Sequence, residues 1–391
     1  MKRVAVIFES SPFDRKGLFN AVHNRVKGLI GGGQFEVDVY CIQSRDNFFT
    51  ARVRHRVNVP RQNSVVIDDI RYRMRWYRFS LLDYILFDLL SCRPLFFRGF
   101  LQRTVEELSS YDLVVAHSFV GGLVANKVYA RYGTPYLVTW HGSDVHTHPF
   151  KNPLQMQETE AIMKNAKCNF FVSKALLEAS GRITDDASVV REVIYNGVSN
   201  DFFRYSDAER TELRSDKGVG EGEKVVAFAG NLCEVKNVRV LASVFKSVAQ
   251  SYDGKVQFWI IGDGKLRSAV DAAVADVGLS GVRFWGNLPV SDMPAMMNCT
   301  DVLVLPSLNE GLPLVCLEAI RCGANVVGSD VGGTAEIVGK DYVVSLGEGF
   351  VEGIAEKISH LLVCPTTQVV PSEMSWDAAA SKELKYILAY I

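Results

Sequence analysis

The sequence predicts an α/β protein built from two doubly wound domains, and three observations carry that expectation. At 391 residues the chain is too long for one ordinary core and suits two domains of roughly 200 residues each. In both halves, short β-branched apolar runs alternate with polar turns and helix-period segments, the order of strand, loop and helix in a parallel sheet. With 48% hydrophobic and 22% charged residues, the composition is that of a packed globular chain and not a disordered one.

Val4 to Phe8 reads as a buried strand, Glu9 to Gly17 as a loop and Leu18 to Leu29 as a helix. Gly17 falls near that helix start, where a tight backbone suits a phosphate or sugar, or serves only as a turn. The opening MKRVAVIFES lacks the apolar core of a signal peptide, and no segment offers about 18 uninterrupted apolar residues for a spanning helix. The expected location is therefore cytoplasmic, or peripheral on the inner face of a membrane.

A second strand is expected over Val37–Ile42, followed by a basic segment. From Arg45 to Arg103 there are 12 Arg against 5 Asp and no Lys or Glu, a local +7 inside a chain whose formal net charge is -1. The run RYRMRWYRF and its continuation mix Arg with Trp76, Tyr77, Phe79, Phe96, Phe97 and Phe100, and are expected to be helical. Arg with aromatic residues on an amphipathic element suits an anionic membrane surface, and equally a solvated face over a core. Nucleic acid is disfavoured as a partner, because the overall charge is near neutral and no recognised binding motif occurs.

Strands Leu113–Ala116 and Tyr136–Thr139 run into polar loops holding His117 and His141-Gly142-Ser143-Asp144. Open α/β sheets place ligand contacts at such strand ends. His146 and His148, spaced i, i+2 beside Pro149, make no metal set and are expected to face solvent. A helix over Glu158–Ala166, a strand over Asn169–Val172 and the segment V-I-Y-N-G-V at 193–198 complete the first half. The expected division is a first domain 1–203, a second 204–372 and a last helix 373–391, capped by Ser375.

The second half repeats the pattern with strands over Val225–Ala229, Val256–Ile261, Val282–Phe284, Val302–Leu305 and Val326–Gly328. Lys236, in the loop after the first of these, is a point charge suited to a diphosphate, or an exposed lysine at a helix start. Asp301 to Gly333 is the organising stretch: a strand, the polar turn Pro306–Gly311, then a helix opening at Pro313 and stopping near Gly323. Glu310 lies just before that helix and Glu318 about 7.5 Å along it. Unpaired N–H groups at the helix start attract phosphate, and Gly311 allows close approach. The two acids could then hold the hydroxyl groups of a nucleotide-sugar at either end, although dipole complementarity alone also places glutamates there.

The string N-E-G-L-P-L-x-x-L-E-A-I-x-C-G, followed by S-D-x-G-G-x-x-E, resembles the E-x7-E region of retaining glycosyltransferases of family 4. The resemblance implies the GT-B fold: two Rossmann-like domains facing a cleft, with the last helix returning to the first. It extends to H-G-S-D, similar to the family's H-G-x-D/E loop, and to V-x-x-N-G-V and I-x-G-x-G. It implies that His141, Lys236 and Glu310 form the catalytic set. Donor contacts carried over by the resemblance are Gly17, Asn231, Gly286, Asn287, Gly311, Leu312, Leu314, Val315 and Glu318. Asp144 and His117 are acceptor-side candidates, Asp144 also being a candidate for ordering its loop. In the family's G-R-L-x-x-x-K loop Lys236 matches, whereas Asn231 stands where Arg is usual, so one positive charge is missing.

The implied activity is metal-independent, retaining transfer of a hexosyl or N-acetylhexosaminyl group from a nucleotide-sugar to a glycan or lipid-linked acceptor. Cell-surface polysaccharide synthesis (capsule, O-antigen or exopolysaccharide) is the implied setting. The alternatives are a non-catalytic nucleotide-sugar-binding or scaffolding protein, a sugar-nucleotide epimerase and a phosphorylase of the same fold. Eight cysteines without C-x-x-C or zinc-like spacing read as apolar fillers in a reducing compartment; no disulfide, metal or other cofactor is expected.

Overall fold

A computed structural model describes residues 1–13, 17–46, 62–86, 93 and 96–391. The chain forms two compact units, Met1–Asn196 with Trp376–Ile391, and Gly197–Ser375. The chain crosses between them at 196/197 and 375/376, where the sequence reading sets boundaries at 203/204 and 372/373.

The first unit is organised on eight strands: β1 Arg3–Glu9, β2 Glu36–Asp46, β3 Ser64–Ile67, β4 Ile70–Phe79, β5 Leu113–His117, β6 Tyr136–Trp140, β7 Cys168–Phe171 and β8 Arg191–Val193. Their order is β3-β4-β2-β1-β5-β6-β7-β8, parallel except for the antiparallel β3–β4 pair. Val4 to Phe8 are wholly buried, as a central strand covered on both faces requires. The first helix, Gly17–Gly31, turns Phe19, Val22, Val26 and Leu29 inward at helical spacing, each burial contributing on the order of 1.5–3 kcal/mol.

The last helix, Trp376–Tyr390, packs on that first helix within the same unit. The approach is close: a Cβ at Gly28 would lie 2.4 Å from that of Ala380. Arg25, wholly buried, pairs with Glu383 at 3.4 Å and donates to the Ile194 carbonyl at 2.8 Å, so both chain crossings of this unit are tied to one side chain. Glu383 Oε1 and Arg25 Nε are buried without partners among the described residues, the imperfect pairing that makes buried ion pairs weak stabilisers.

The second unit carries six parallel strands: β9 Lys224–Ala229, β10 Val256–Ile261, β11 Val282–Gly286, β12 Val302–Leu305, β13 Asn325–Ser329 and β14 Val343–Val344, in the order β11-β10-β9-β12-β13-β14. Helices Leu241–Ser251 and Phe350–Val363 pack together over one face and supply much of its core.

Two expectations need correction. The run RYRMRWYRF is β4, not a helix: Tyr72 and Met74 are buried while Arg71, Arg73 and Arg75 alternate on the other face, a period of two that only a strand satisfies. Arg73 pairs with Asp38 at 2.6 Å, and Arg75 bonds Glu107 through Nε at 2.7 Å, so these two charges are neutralised locally. Arg71 and Arg78 stay exposed, near in sequence to the exposed Leu81, Leu82 and Ile85. The rest of the basic segment, at 47–61, 87–92 and 94–95, lies outside the described residues. His146 and His148 are the second correction. Both are half-buried, with Nε2 buried and unpartnered among the described residues, and the His148 ring packs 4.1 Å from that of Phe119.

Candidate functional site

In the first unit the site residues gather at the C-terminal ends of β5 and β6. His117 closes β5, in register with Thr139 on β6. Ser118 follows at φ +61°, a left-handed conformation unusual outside glycine, and turns the chain at once into the helix Ser118–Tyr132. That helix start is pressed onto β1: a Cβ at Gly121 would sit 2.5 Å from the Ile7 carbonyl oxygen, so only glycine fits.

His141 follows β6. Asp144 orders its loop by accepting the backbone N–H groups of His141, at 3.1 Å to each carboxylate oxygen, and of Gly142, at 2.8 Å. Burial nevertheless pushes the Asp144 carboxyl up to about 6. Of the two candidate roles for Asp144, these bonds express the ordering one. His117 Nδ1 and His141 Nε2 stand 3.2 Å apart, so one ring donates and the other accepts. Burial, with Arg25 nearby, brings His141 down to about 3 and His117 well below the ordinary histidine range. Two neutral imidazoles meet here. His117, read as an acceptor-side candidate, is only 1% exposed, whereas His141 is half-buried and reaches the surface of the unit.

In the second unit the site gathers at the C-terminal ends of β9 and β12. Lys236, in a short 3-10 turn after β9, donates from Nζ to Glu310 Oε1 at 2.6 Å. Ser307 Oγ donates to the same oxygen at 2.6 Å. Among the described residues Glu310 Oε2 takes no hydrogen bond, which leaves one oxygen of a fixed carboxylate for a ligand. The Glu310 loop is held from behind: a Cβ at Gly332, φ +52°, would lie 1.9 Å from the Glu310 carbonyl oxygen, and Gly333 N–H donates to the Gly311 carbonyl at 2.9 Å.

The helix Leu314–Arg321 begins one residue later than expected, with Pro313 as the capping residue and not the first helical one. Among the described residues no side chain caps its first turn and no acid lies in it, which leaves the positive helix end available to an anion. Gly311 and Leu312 are buried beneath this turn. Glu318 is half-buried, and burial alone pushes its carboxyl up to about 7.

Asn231 is exposed, its side-chain oxygen against Gly264, a position where a Cβ would come within 2.5 Å. Gly286, φ +64°, accepts the Gly262 N–H at 2.8 Å, and Asn287 beside it is exposed. Gly17 opens the first helix of the first unit and is exposed. Ser307 was missed from sequence, because a lone serine after proline carries no signal of its partner. Among the described residues, no cluster of three or more His, Cys, Asp or Glu is arranged to hold a metal, and no helix is long and apolar enough to cross a membrane.

Comparison with known proteins places these corners in a family. The chain is 31% identical to the 2-deoxystreptamine glucosyltransferase of Streptomyces kanamyceticus over 250 residues, 59% of this chain and 62% of the relative. It is 26% identical to a glycosyltransferase of Bacillus subtilis (strain 168) named for teichuronic acid biosynthesis, over 66% of this chain and 63% of the relative. The matched stretch thus spans about three fifths of each relative's length. Among solved structures, the sucrose-phosphate synthase of Thermosynechococcus elongatus superposes with a TM-score of 0.76 at 16% identity, covering 100% of this chain and 99% of the other. The Anabaena protein HepE, solved with UDP and glucose, gives 0.71 at 16% identity with 100% of both chains covered. These superpositions carry the fold, two Rossmann-like domains of the GT-B kind. The description "Glycosyl transferase 4-like domain" matches residues 17–197 and "Glycosyl transferases group 1" matches 223–363; the chain belongs to the group 1, family 4 glycosyltransferases.

Proposed function

We propose that the protein transfers a sugar from a nucleotide-sugar donor to a glycan or lipid-linked acceptor, with retention of configuration and without a metal. The observation that carries this is the second unit's corner: an uncapped helix start beside a lysine that already bonds a fixed carboxylate. A departing diphosphate at that helix end meets the first-turn N–H groups and the Lys236 ammonium, which stabilise charge as it develops. Glu310, through Oε2, and His141 orient the donor sugar, and Glu318 takes the ribose hydroxyls. A hexosyl or N-acetylhexosaminyl donor agrees with the names of the curated relatives, and the teichuronic acid relative supports cell-surface polysaccharide as the setting. UDP in the HepE structures supports a uridine donor as the first to try.

A thermal-shift screen against UDP-, GDP-, ADP- and dTDP-sugars tests the donor assignment, since a ligand that binds only the folded state raises the melting temperature. One nucleotide-sugar should stand out, and transfer or slow hydrolysis of it should follow. Melting unchanged by every donor would overturn the reading, and binding without turnover would favour the non-catalytic alternative that Asn231 suggests. We propose further that the first unit meets an anionic membrane surface through the exposed Arg71 and Arg78 and the apolar Leu81 and Leu82. Flotation with anionic liposomes should be lost on changing Arg71 and Arg78 to Glu; flotation that survives the change refutes that surface.

A further inference from the structure

We propose that His117 is a positioning residue: its Nδ1 fixes the ring plane and the tautomer of His141, and His117 itself touches no substrate. The inference rests on the sugar-transfer reading above, but its geometry is independent of any ligand. His117 is 1% exposed and His141 is half-buried, so of the two rings in contact it is His141 that a ligand can reach. The contact is a single one, Nδ1 to Nε2 at 3.2 Å, with the ring centroids 5.4 Å apart and the planes inclined by 40°.

Both rings are also held from their own backbones. On one side stand the Ser118 turn at φ +61° and the Gly121 approach to Ile7; on the other, Gly142 at φ +145° and the carboxylate of Asp144. A non-glycine residue kept in the left-handed region is strained and persists where the surroundings over-determine it. Here the strain goes into aiming an imidazole at its neighbour.

Chemistry makes the contact informative. Both rings are neutral, since burial and the Arg25 guanidinium disfavour a proton on either. Between two neutral imidazoles one nitrogen at the contact carries hydrogen and the other a lone pair. A proton on His117 Nδ1 therefore obliges His141 to carry its own on Nδ1, and a proton on His141 Nε2 leaves its Nδ1 bare. Either way His117 decides whether the far nitrogen of His141 offers a donor or an acceptor to a sugar hydroxyl.

The test uses the geometry of amides. Asparagine at 117 places an amide atom where Nδ1 stood, whereas glutamine reaches toward the position of Nε2 and alanine supplies nothing. We expect His117→Ala to lower kcat on the order of 100-fold with the donor KM within about threefold, the scale of a misaligned reacting group. His117→Asn should recover to within about tenfold of the parent, and His117→Gln should stay near the alanine value. In the unliganded protein labelled with 15N-histidine, His141, assigned by loss of its signals in His141→Gln, should show one tautomer in the parent and in His117→Asn, and a mixture in His117→Ala. A raised acceptor KM with kcat intact in His117→Ala would make His117 a direct acceptor contact and overturn the proposal. So would an unchanged His141 tautomer in that variant. Should the parent turn over no nucleotide-sugar at all, the functional reading fails, while the nitrogen spectra still decide whether His117 sets the His141 tautomer.

Discussion

In the first unit two histidines meet as neutral rings; in the second a lysine and a glutamate meet as ions. Both corners sit at the C-terminal ends of parallel strands, and both are braced by glycines at which a Cβ would strike backbone. The contrast shows what each corner is suited to. A neutral pair gives direction without net charge, which orients hydroxyl groups. An ammonium beside an uncapped helix start gives charge, which suits a phosphate whose own charge grows as a bond breaks.

Removing the charge should therefore cost most. Lys236→Ala takes away the cation that bonds Glu310, and kcat should fall by about 10²–10³-fold, the range for loss of one preorganised charge-stabilising group. The donor KM should move far less. A KM rise with kcat unchanged would mean that Lys236 binds ground state and transition state equally, and the contrast between the corners would lose its mechanistic content.

Ser307→Ala is the milder break in the same corner. It removes one of the two donors on Glu310 Oε1 and keeps Lys236, so Glu310 stays placed but less firmly. A net hydrogen bond to a charged group is worth about 1.5–3 kcal/mol at most, and a partial loss corresponds to kcat/KM reduced by about 5–20-fold. Measured beside Lys236→Ala and the double variant, the loss should be less than additive, because both donors serve one oxygen. Full additivity would separate Ser307 from the site.

How much of this was legible in the sequence follows the same divide. β10 and β12 match the runs read at Val256–Ile261 and Val302–Leu305, because a strand buried on both faces is written almost wholly in apolar residues, Gln257 in β10 being the exception. β4 alternates Arg against Tyr and Met, a mixture of charged and aromatic residues that also suits an amphipathic helix and differs from one only in its period of two. Lys236, Glu310 and Glu318 were legible as motif residues. Their partners were not: Lys236 and Glu310 are 74 positions apart, and Ser307 has no pattern that announces its bond. The histidine corner was least legible, since neither the burial of His117 nor the buried Nε2 atoms of His146 and His148 follow from spacing.

The smallest expected effect compares the corners by pH. Glu318 has its folded value raised to about 7 from 4.5, so the folded state holds a proton that the unfolded state releases between those values. Its contribution to stability is present below about 4.5 and is lost as pH rises through about 7. His141 is the opposite case, with a folded value lowered to about 3 from 6.5: its contribution is present above 6.5 and is lost as pH falls toward 3. Asp144, raised to about 6, sides with Glu318 although it belongs to the histidine corner. Glu318→Gln keeps the shape of the side chain and removes the buried charge. It should raise the melting temperature by a few degrees at pH 8 and leave it unchanged at pH 4.5, as scanning fluorimetry across that range would read. A gain as large at pH 4.5 as at pH 8 would show that the substitution repacks the helix and that no buried charge was relieved.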